Sequence, residues 1–93
     1  MIIYKYKLNQ DPLRYQDIEI PGEIIPLHVG EQYGELYVWC MLSHPRATPI
    51  KHRFYILATG HEPRHIELGD LNVMRHIGTC QMNSGLVWHV FYA

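Results

Sequence analysis

Hydrophobic and polar residues alternate along most of the chain with the two-residue period of β-strands. Residues 2–8 place Lys5 and Lys7 on one face, an arrangement typical of a strand at the edge of a sheet. Residues 36–42 are apolar at every position, which predicts a central strand with both faces covered. Residues 50–58 are predicted to fold back and pair with it after a turn at residues 43–49.

Proline and glycine residues, which favour turns, divide the rest of the chain into further short predicted strands, at residues 17–20, 24–29, 73–82 and 86–92. Pro26 lacks the N–H that a ladder requires, so it predicts an edge or a bulge. Gly34 suits a turn with positive φ. Residues 59–72 form the long irregular stretch, with a single helical turn predicted near residues 65–68. About seven strands and short loops predict the all-β class: one small antiparallel β-sandwich or barrel-like domain spanning residues 1–93.

Composition narrows the class of protein. The chain is 47% hydrophobic and 18% charged, which is typical of a globular domain. The net charge of -1 argues against duplex nucleic acid as a partner. The sequence has neither a signal pattern nor an apolar run near the roughly 20 residues of a membrane span, so we expect a soluble, cytoplasmic protein. Cys40 and Cys80 are predicted to be buried, reduced thiols.

The residues predict no catalytic, metal or cofactor site. His61 and His65 flank Glu62 in the irregular stretch, but a zinc site needs three or four convergent ligands. A two-histidine phosphoesterase would need paired His-x-Thr or His-x-Ser triplets, whereas the triplets that start at His52 and His89 carry no hydroxyl. No nucleophile elbow, paired carboxylates or phosphate-binding glycine loop occurs, which favours a protein that is not an enzyme.

Ligand recognition fits the residue types better. Aromatic residues make up 12% of the chain and are interleaved with arginines and histidines. Aromatic rings with arginines suit either a protein interface or a nucleotide, where a base stacks and a phosphate is held. The alternative is that the rings fill a small β core. The candidate ligand-binding residues are Arg46, Arg53, Arg64, His61, His65 and Tyr33.

Six blocks in order resemble a family of small phage- and prophage-encoded proteins of unknown function. They are Ile3-Tyr4-Lys5-Tyr6, Leu27-His28-Val29-Gly30, Gly34-Glu35-Leu36-Tyr37-Val38-Trp39, Thr59-Gly60-His61, Ile77-Gly78-Thr79 and the terminal Gly85-Leu86-Val87-Trp88-His89-Val90-Phe91. The resemblance spans nearly the whole chain, and the terminal block is its most specific part. It implies a viral accessory protein in the host cytoplasm, and it transfers no site residue.

Small phage proteins without enzymatic motifs are often counter-defence factors, and two mechanisms suit this composition. In the first, a homo-oligomer binds and sequesters a nucleotide-derived host immune signal, which would also cover the surplus of apolar strand surface. In the second, the protein is a non-enzymatic inhibitor that binds a host defence protein directly. The net charge of -1 argues against nucleic-acid mimicry and leaves ordinary protein binding open.

Overall fold

The computed structural model describes residues 1–10, 15–62 and 72–93, and this part of the chain forms β-strands joined by turns. The strands are β1 (Ile2–Leu8), β2 (Gln16–Pro21), β3 (Ile24–Gln32), β4 (Glu35–Leu42), β5 (Pro49–Ala58), β6 (Arg75–Gln81) and β7 (Val87–Tyr92). The prediction of an all-β fold of about seven strands is therefore confirmed. The predicted helical turn near residues 65–68 lies outside the described residues.

The strands form two antiparallel sheets that share one hydrophobic core. The three-stranded sheet has the order β1-β4-β3, and the four-stranded sheet has the order β2-β5-β7-β6. The sheets are not closed into a barrel, so the sandwich is the correct one of the two predicted forms. The fully buried side chains come from both sheets: Leu8, Ile20, Leu36, Val38, Cys40, Leu42, Phe54, Ile56 and Val90.

The predicted pairing of residues 36–42 with residues 50–58 is wrong. β4 pairs with β1 and β3, whereas β5 pairs with β2 and β7, so the chain changes sheets between the two strands. The connection over residues 43–48 is a corner of the sandwich, where the backbone N–H of Gly22 donates to the carbonyl of Thr48 at 3.4 Å. A corner and a hairpin turn are built from the same turn-forming residues, so the sequence did not distinguish them.

Within the single chain, the other sheet covers only one face of the central strand. Along β4, buried residues alternate with half-buried ones, because only one face of the three-stranded sheet packs against the second sheet. The register places Ile3 and Ile25 on either side of Met41 on the other face. These isoleucines are 50% and 57% exposed. We call Ile3, Ile25, Trp39 and Met41 the outer apolar face.

Several local predictions are confirmed. β1 is an edge strand, as its lysines suggested. β3 is the other edge of the same sheet, and its register shifts between Pro26 and His28. Gly34 has a φ of 78° in the β3–β4 turn. Cys40 and Cys80 are buried and free.

The two sheets approach closely where β3 faces β6. Gly78 of β6 lies beside Val29 of β3, and a Cβ atom at Gly78 would lie 2.9 Å from Cγ2 of Val29. Only a residue without a side chain fits this contact. The edge strands β3 and β6 are therefore held side by side without pairing.

Candidate functional site

A cavity of about 340 Å³ opens where the edge strands β3 and β6 meet, and we call it the edge pocket. Its walls are Ile24, Ile25, Pro26, Arg75, His76, Ile77 and Tyr92. Most of this lining is apolar, and the cation of Arg75 and the ring of His76 supply polar groups. No carboxylate of the described residues lies within ion-pair distance of Arg75. An apolar wall with a guanidinium suits an organic anion.

A hydrogen-bonded row of histidine and threonine side chains runs across the four-stranded sheet. His89 on β7 contacts Thr59 Oγ1 through Nε2 at 2.6 Å and Thr79 Oγ1 through Nδ1 at 3.0 Å. The same Thr79 oxygen lies 3.2 Å from Nε2 of His76. The His76 ring also packs against Phe91, with their centroids 5.2 Å apart. Two imidazoles from two strands thus share one hydroxyl, and we call these four polar side chains the His–Thr row.

A β-bulge places His76 and Thr79 on one face of the sheet. In a regular strand, residues three apart point to opposite faces. Here His76 pairs with Phe91 and Gly78 pairs with Val90, so Ile77 is the extra residue. The bulge therefore aligns His76 with Thr79 and with His89, which Thr79 faces in the register. A search for His-x-Thr or His-x-Ser triplets could not find this arrangement. The hydroxyl groups that contact the two histidines come from neighbouring strands or from beyond a bulge.

His52 lies inside the sandwich and has both ring nitrogens occupied. It is 5% exposed, with Nε2 2.8 Å from the carbonyl oxygen of Gly22 and Nδ1 2.8 Å from the hydroxyl of Tyr92. A carbonyl only accepts, so Nε2 carries a hydrogen, and in the neutral ring Nδ1 accepts from Tyr92. Burial raises the pKa of Tyr92, which keeps its hydroxyl protonated. This satisfied histidine positions Tyr92 in the wall of the edge pocket.

Arg53 is already engaged by side chains of its own chain. Its Nε donates to Oδ1 of Asp17 at 3.0 Å, and its guanidinium lies 3.6 Å from the ring centroid of Tyr15. The hydrogen bonds between them lower the pKa of Asp17 and raise the pKa of Arg53. A second cavity, of about 420 Å³, lies beside this pair. Because its guanidinium is paired and stacked, Arg53 is a weaker anion ligand than its residue type suggested.

The other predicted ligand-binding residues do not converge. Arg46 lies exposed in the corner that packs against Gly22, at one end of β4. Tyr33 lies at the other end of β4, 95% exposed and with a φ of 53°. His61 is exposed after β5, and its N–H donates to the carbonyl of Ala58. Arg64 and His65 lie outside the described residues.

The pocket instead uses residues that the sequence did not single out. Arg75 and His76 lie side by side on β6, next to the contact between the two sheets. What distinguishes these two residues is their place on an edge strand. No pattern in the sequence predicts that this strand lies at an edge. Among residues 1–10, 15–62 and 72–93, no three His, Cys, Asp or Glu side chains are grouped as metal ligands would be.

The fold and the site define a small two-sheet antiparallel β domain that carries an edge pocket and a histidine–threonine row beside it. The chain belongs to the domain-of-unknown-function family DUF7352, whose model matches residues 1–93. No curated protein and no solved structure matches the chain. In the part of the chain that the structure describes, no helix has the length and apolar character to span a membrane.

Proposed function

We propose that the protein binds a nucleotide-derived ligand in the edge pocket and sequesters it without chemical turnover. The observation that carries this proposal is the pairing of an apolar wall with Arg75 in one cavity of about 340 Å³. This volume lies within the roughly 300–1,000 Å³ that is typical of small-molecule sites. A nucleobase suits the wall formed by Ile24, Pro26 and Tyr92, and a phosphate suits the guanidinium.

Sequestration fits the pocket better than catalysis. Its lining among the described residues offers neither a carboxylate nor a serine or cysteine nucleophile. Cys40 and Cys80 are buried, and burial raises the pKa of both thiols, so neither supplies a thiolate. A pocket of this kind binds an anion and holds it.

In the cell, this activity makes the protein a phage-encoded counter-defence factor that withdraws a nucleotide-derived immune signal from its host. The resemblance to small phage and prophage proteins supports this role, and we propose the host cytoplasm as its location. We propose further that the protein acts as a homo-oligomer. The outer apolar face supports this, because Ile3 and Ile25 leave about half of their side chains in water in the single chain.

The same face also favours a second candidate, a non-enzymatic inhibitor that binds a host defence protein directly. Next to the exposed isoleucines, this face carries the half-buried Trp39 between Lys5 and His28, and an aromatic ring bordered by polar groups is typical of a protein interface. The two candidates differ in what the edge pocket does: an inhibitor leaves it empty, and a sequestering protein fills it.

Thermal unfolding with a panel of cyclic dinucleotides and ADP-ribose derivatives tests the proposal. A ligand at about 100 times its dissociation constant adds roughly 2.7 kcal/mol to the free energy of unfolding. For a domain of this size, each 1 kcal/mol raises Tm by roughly 4–8 °C. We expect at least one nucleotide to raise Tm, and the R75Q variant to lose this response.

The R46Q variant is the matched control, because Arg46 is an exposed arginine that does not line the edge pocket. It should keep the full response. If no nucleotide raises Tm, sequestration is refuted, and a host protein retained in a pull-down then favours the inhibitor. If R75Q and R46Q respond equally, binding does not occur in the edge pocket.

A further inference from the structure

The hydrogen bonds within the His–Thr row depend on whether its two histidine rings are protonated. With both rings neutral, each hydroxyl hydrogen has an acceptor within the row: Thr59 donates to His89, His89 donates to Thr79, and Thr79 donates to His76. In the opposite direction His76 donates to Thr79 and His89 donates to Thr59, so the hydroxyl hydrogen of Thr59 has no acceptor within the row. The first direction uses both hydroxyl hydrogens within the row and offers neither to a ligand.

Protonation of both histidine rings changes which groups in the row donate and which accept. An imidazolium only donates, so Thr79 then accepts from His76 and from His89, and Thr59 accepts from His89. Both hydroxyl hydrogens lose their acceptors and point away from the rings. The two cations also repel each other, since their nitrogens lie within 3.2 Å of one oxygen. An anion that accepts from the two hydroxyls would satisfy both and offset the repulsion.

We propose that the His–Thr row is an oxyanion site that binds a phosphate or sulfate group together with protons. Because the anion binds together with protons, its affinity for the row rises as the pH falls. His76 also lines the edge pocket, which places the row at the pocket's rim. A nucleotide in the pocket could rest its phosphate on the row. That link rests on the proposed function, whereas the affinity of the row for a free oxyanion does not.

The described neighbours of the row add few charges to its two histidines. In the register, its flanking positions are Leu57 and Tyr55 on β5, Val87 and Phe91 on β7, and Gln81 on β6, of which the buried Tyr55 is the titratable one. The nearest charged residues along the chain are Arg75 beside His76, and Glu62 with His61 after Thr59. Farther across the same sheet, Arg53 is paired with Asp17 next to Lys51. One cation beside the row adds attraction for an anion.

Sulfate is the probe of choice, because it does not itself titrate between pH 5 and 8. We expect its affinity to rise roughly 10-fold or more from pH 7.5 to pH 5.5, since each coupled proton contributes up to 10-fold per pH unit. Calorimetry in buffers of different ionisation enthalpy should show one to two protons taken up per sulfate. The NMR signals of the His76 and His89 rings should move on titration, while those of exposed His44 at the far corner stay in place.

The T79V variant removes the shared hydroxyl while keeping the shape of the side chain and both histidines. We expect it to lose the pH-dependent sulfate affinity, whereas T48V, at an exposed threonine in the distant corner, keeps it. If T79V binds sulfate with the wild-type pH dependence, the attraction is only general charge and the proposal is overturned. Unmoved His76 and His89 signals overturn it too. Neither result bears on the nucleotide panel, so the two proposals fail separately.

Discussion

At the scale of single residues, the polar groups inside the sandwich hold different elements together. His52 on β5 connects the carbonyl of Gly22, in the β2–β3 turn, to the hydroxyl of Tyr92 on β7. Each hydrogen bond of this kind adds roughly 0.5–1.5 kcal/mol net, but leaving a buried partner unsatisfied costs more. The histidines within predicted strands are expected to be satisfied and semi-buried. His52 is buried with both ring nitrogens bonded, whereas His76 is hydrogen-bonded to Thr79 but exposed.

Burial raises the pKa of the Cys40 thiol to about 12, from an ordinary value of 9.0. Above pH 9 the unfolded chain therefore loses a proton that the folded chain keeps, and the free energy of unfolding falls as the pH rises towards 12. At pH 10.5 this loss amounts to about 2 kcal/mol. We expect urea denaturation to show a smaller drop between pH 8.0 and pH 10.5 for C40A than for wild type.

The C80A variant separates this effect from general alkaline destabilisation. Burial also raises the pKa of Cys80, but Cys80 keeps a little exposure whereas Cys40 has none. We therefore expect C80A to retain most of the wild-type drop. Equal drops for C40A and wild type would show that the Cys40 thiol ionises in the folded chain.

At the scale of elements, the sequence predicted where the strands lie better than it predicted which strands pair. Alternating polarity located β1, Pro26 marked an irregular edge strand, and Gly34 marked a tight turn, because each signal is local. Pairing depends on which apolar surfaces meet across the core, and several pairings bury them equally well. The change of sheet after β4 and the bulge at Ile77 were therefore not readable. The edge pocket and the His–Thr row depend on these two features, so the candidate site was missed.

The contact between β3 and β6 lies next to the edge pocket, and substitutions at Gly78 test how tightly the two strands pack. A methyl group at this position would lie 2.9 Å from Cγ2 of Val29. We expect G78A to lower the free energy of unfolding by roughly 1–3 kcal/mol through overpacking. V29A removes the clashing atom. The loss for the double variant G78A/V29A should therefore be smaller than the sum of the two single losses, by roughly 0.5 kcal/mol or more. Urea denaturation of the four proteins measures this coupling.

The G30A variant is the matched control within β3. A methyl group there meets the flexible end of the His28 ring at 3.2 Å, so the neighbour moves at little cost. We expect a smaller loss than for G78A. Additive losses for G78A and V29A would show that the two strands adjust independently.

At the scale of the whole molecule, the two sheets differ in how much apolar surface they leave in water. The three-stranded sheet presents the outer apolar face, whose residues Ile3 and Ile25 flank Met41. Ile25 also lines the edge pocket. A second copy packed on this face would therefore lie at the rim of the pocket. This geometry joins the proposed oligomer to the proposed ligand.

Two isoleucines with nearly equal exposure test where the copies meet. Ile3 on the outer apolar face is 50% exposed, and Ile50 on the other sheet is 48% exposed. In native mass spectrometry and analytical ultracentrifugation, we expect the wild-type protein to form a closed oligomer and I3K to be a monomer, because a charge buried in an apolar interface costs several kcal/mol. I50K should keep the wild-type mass. A wild-type monomer would refute the oligomer, and an I3K oligomer would move the interface to another surface, which would free the outer apolar face for a host protein.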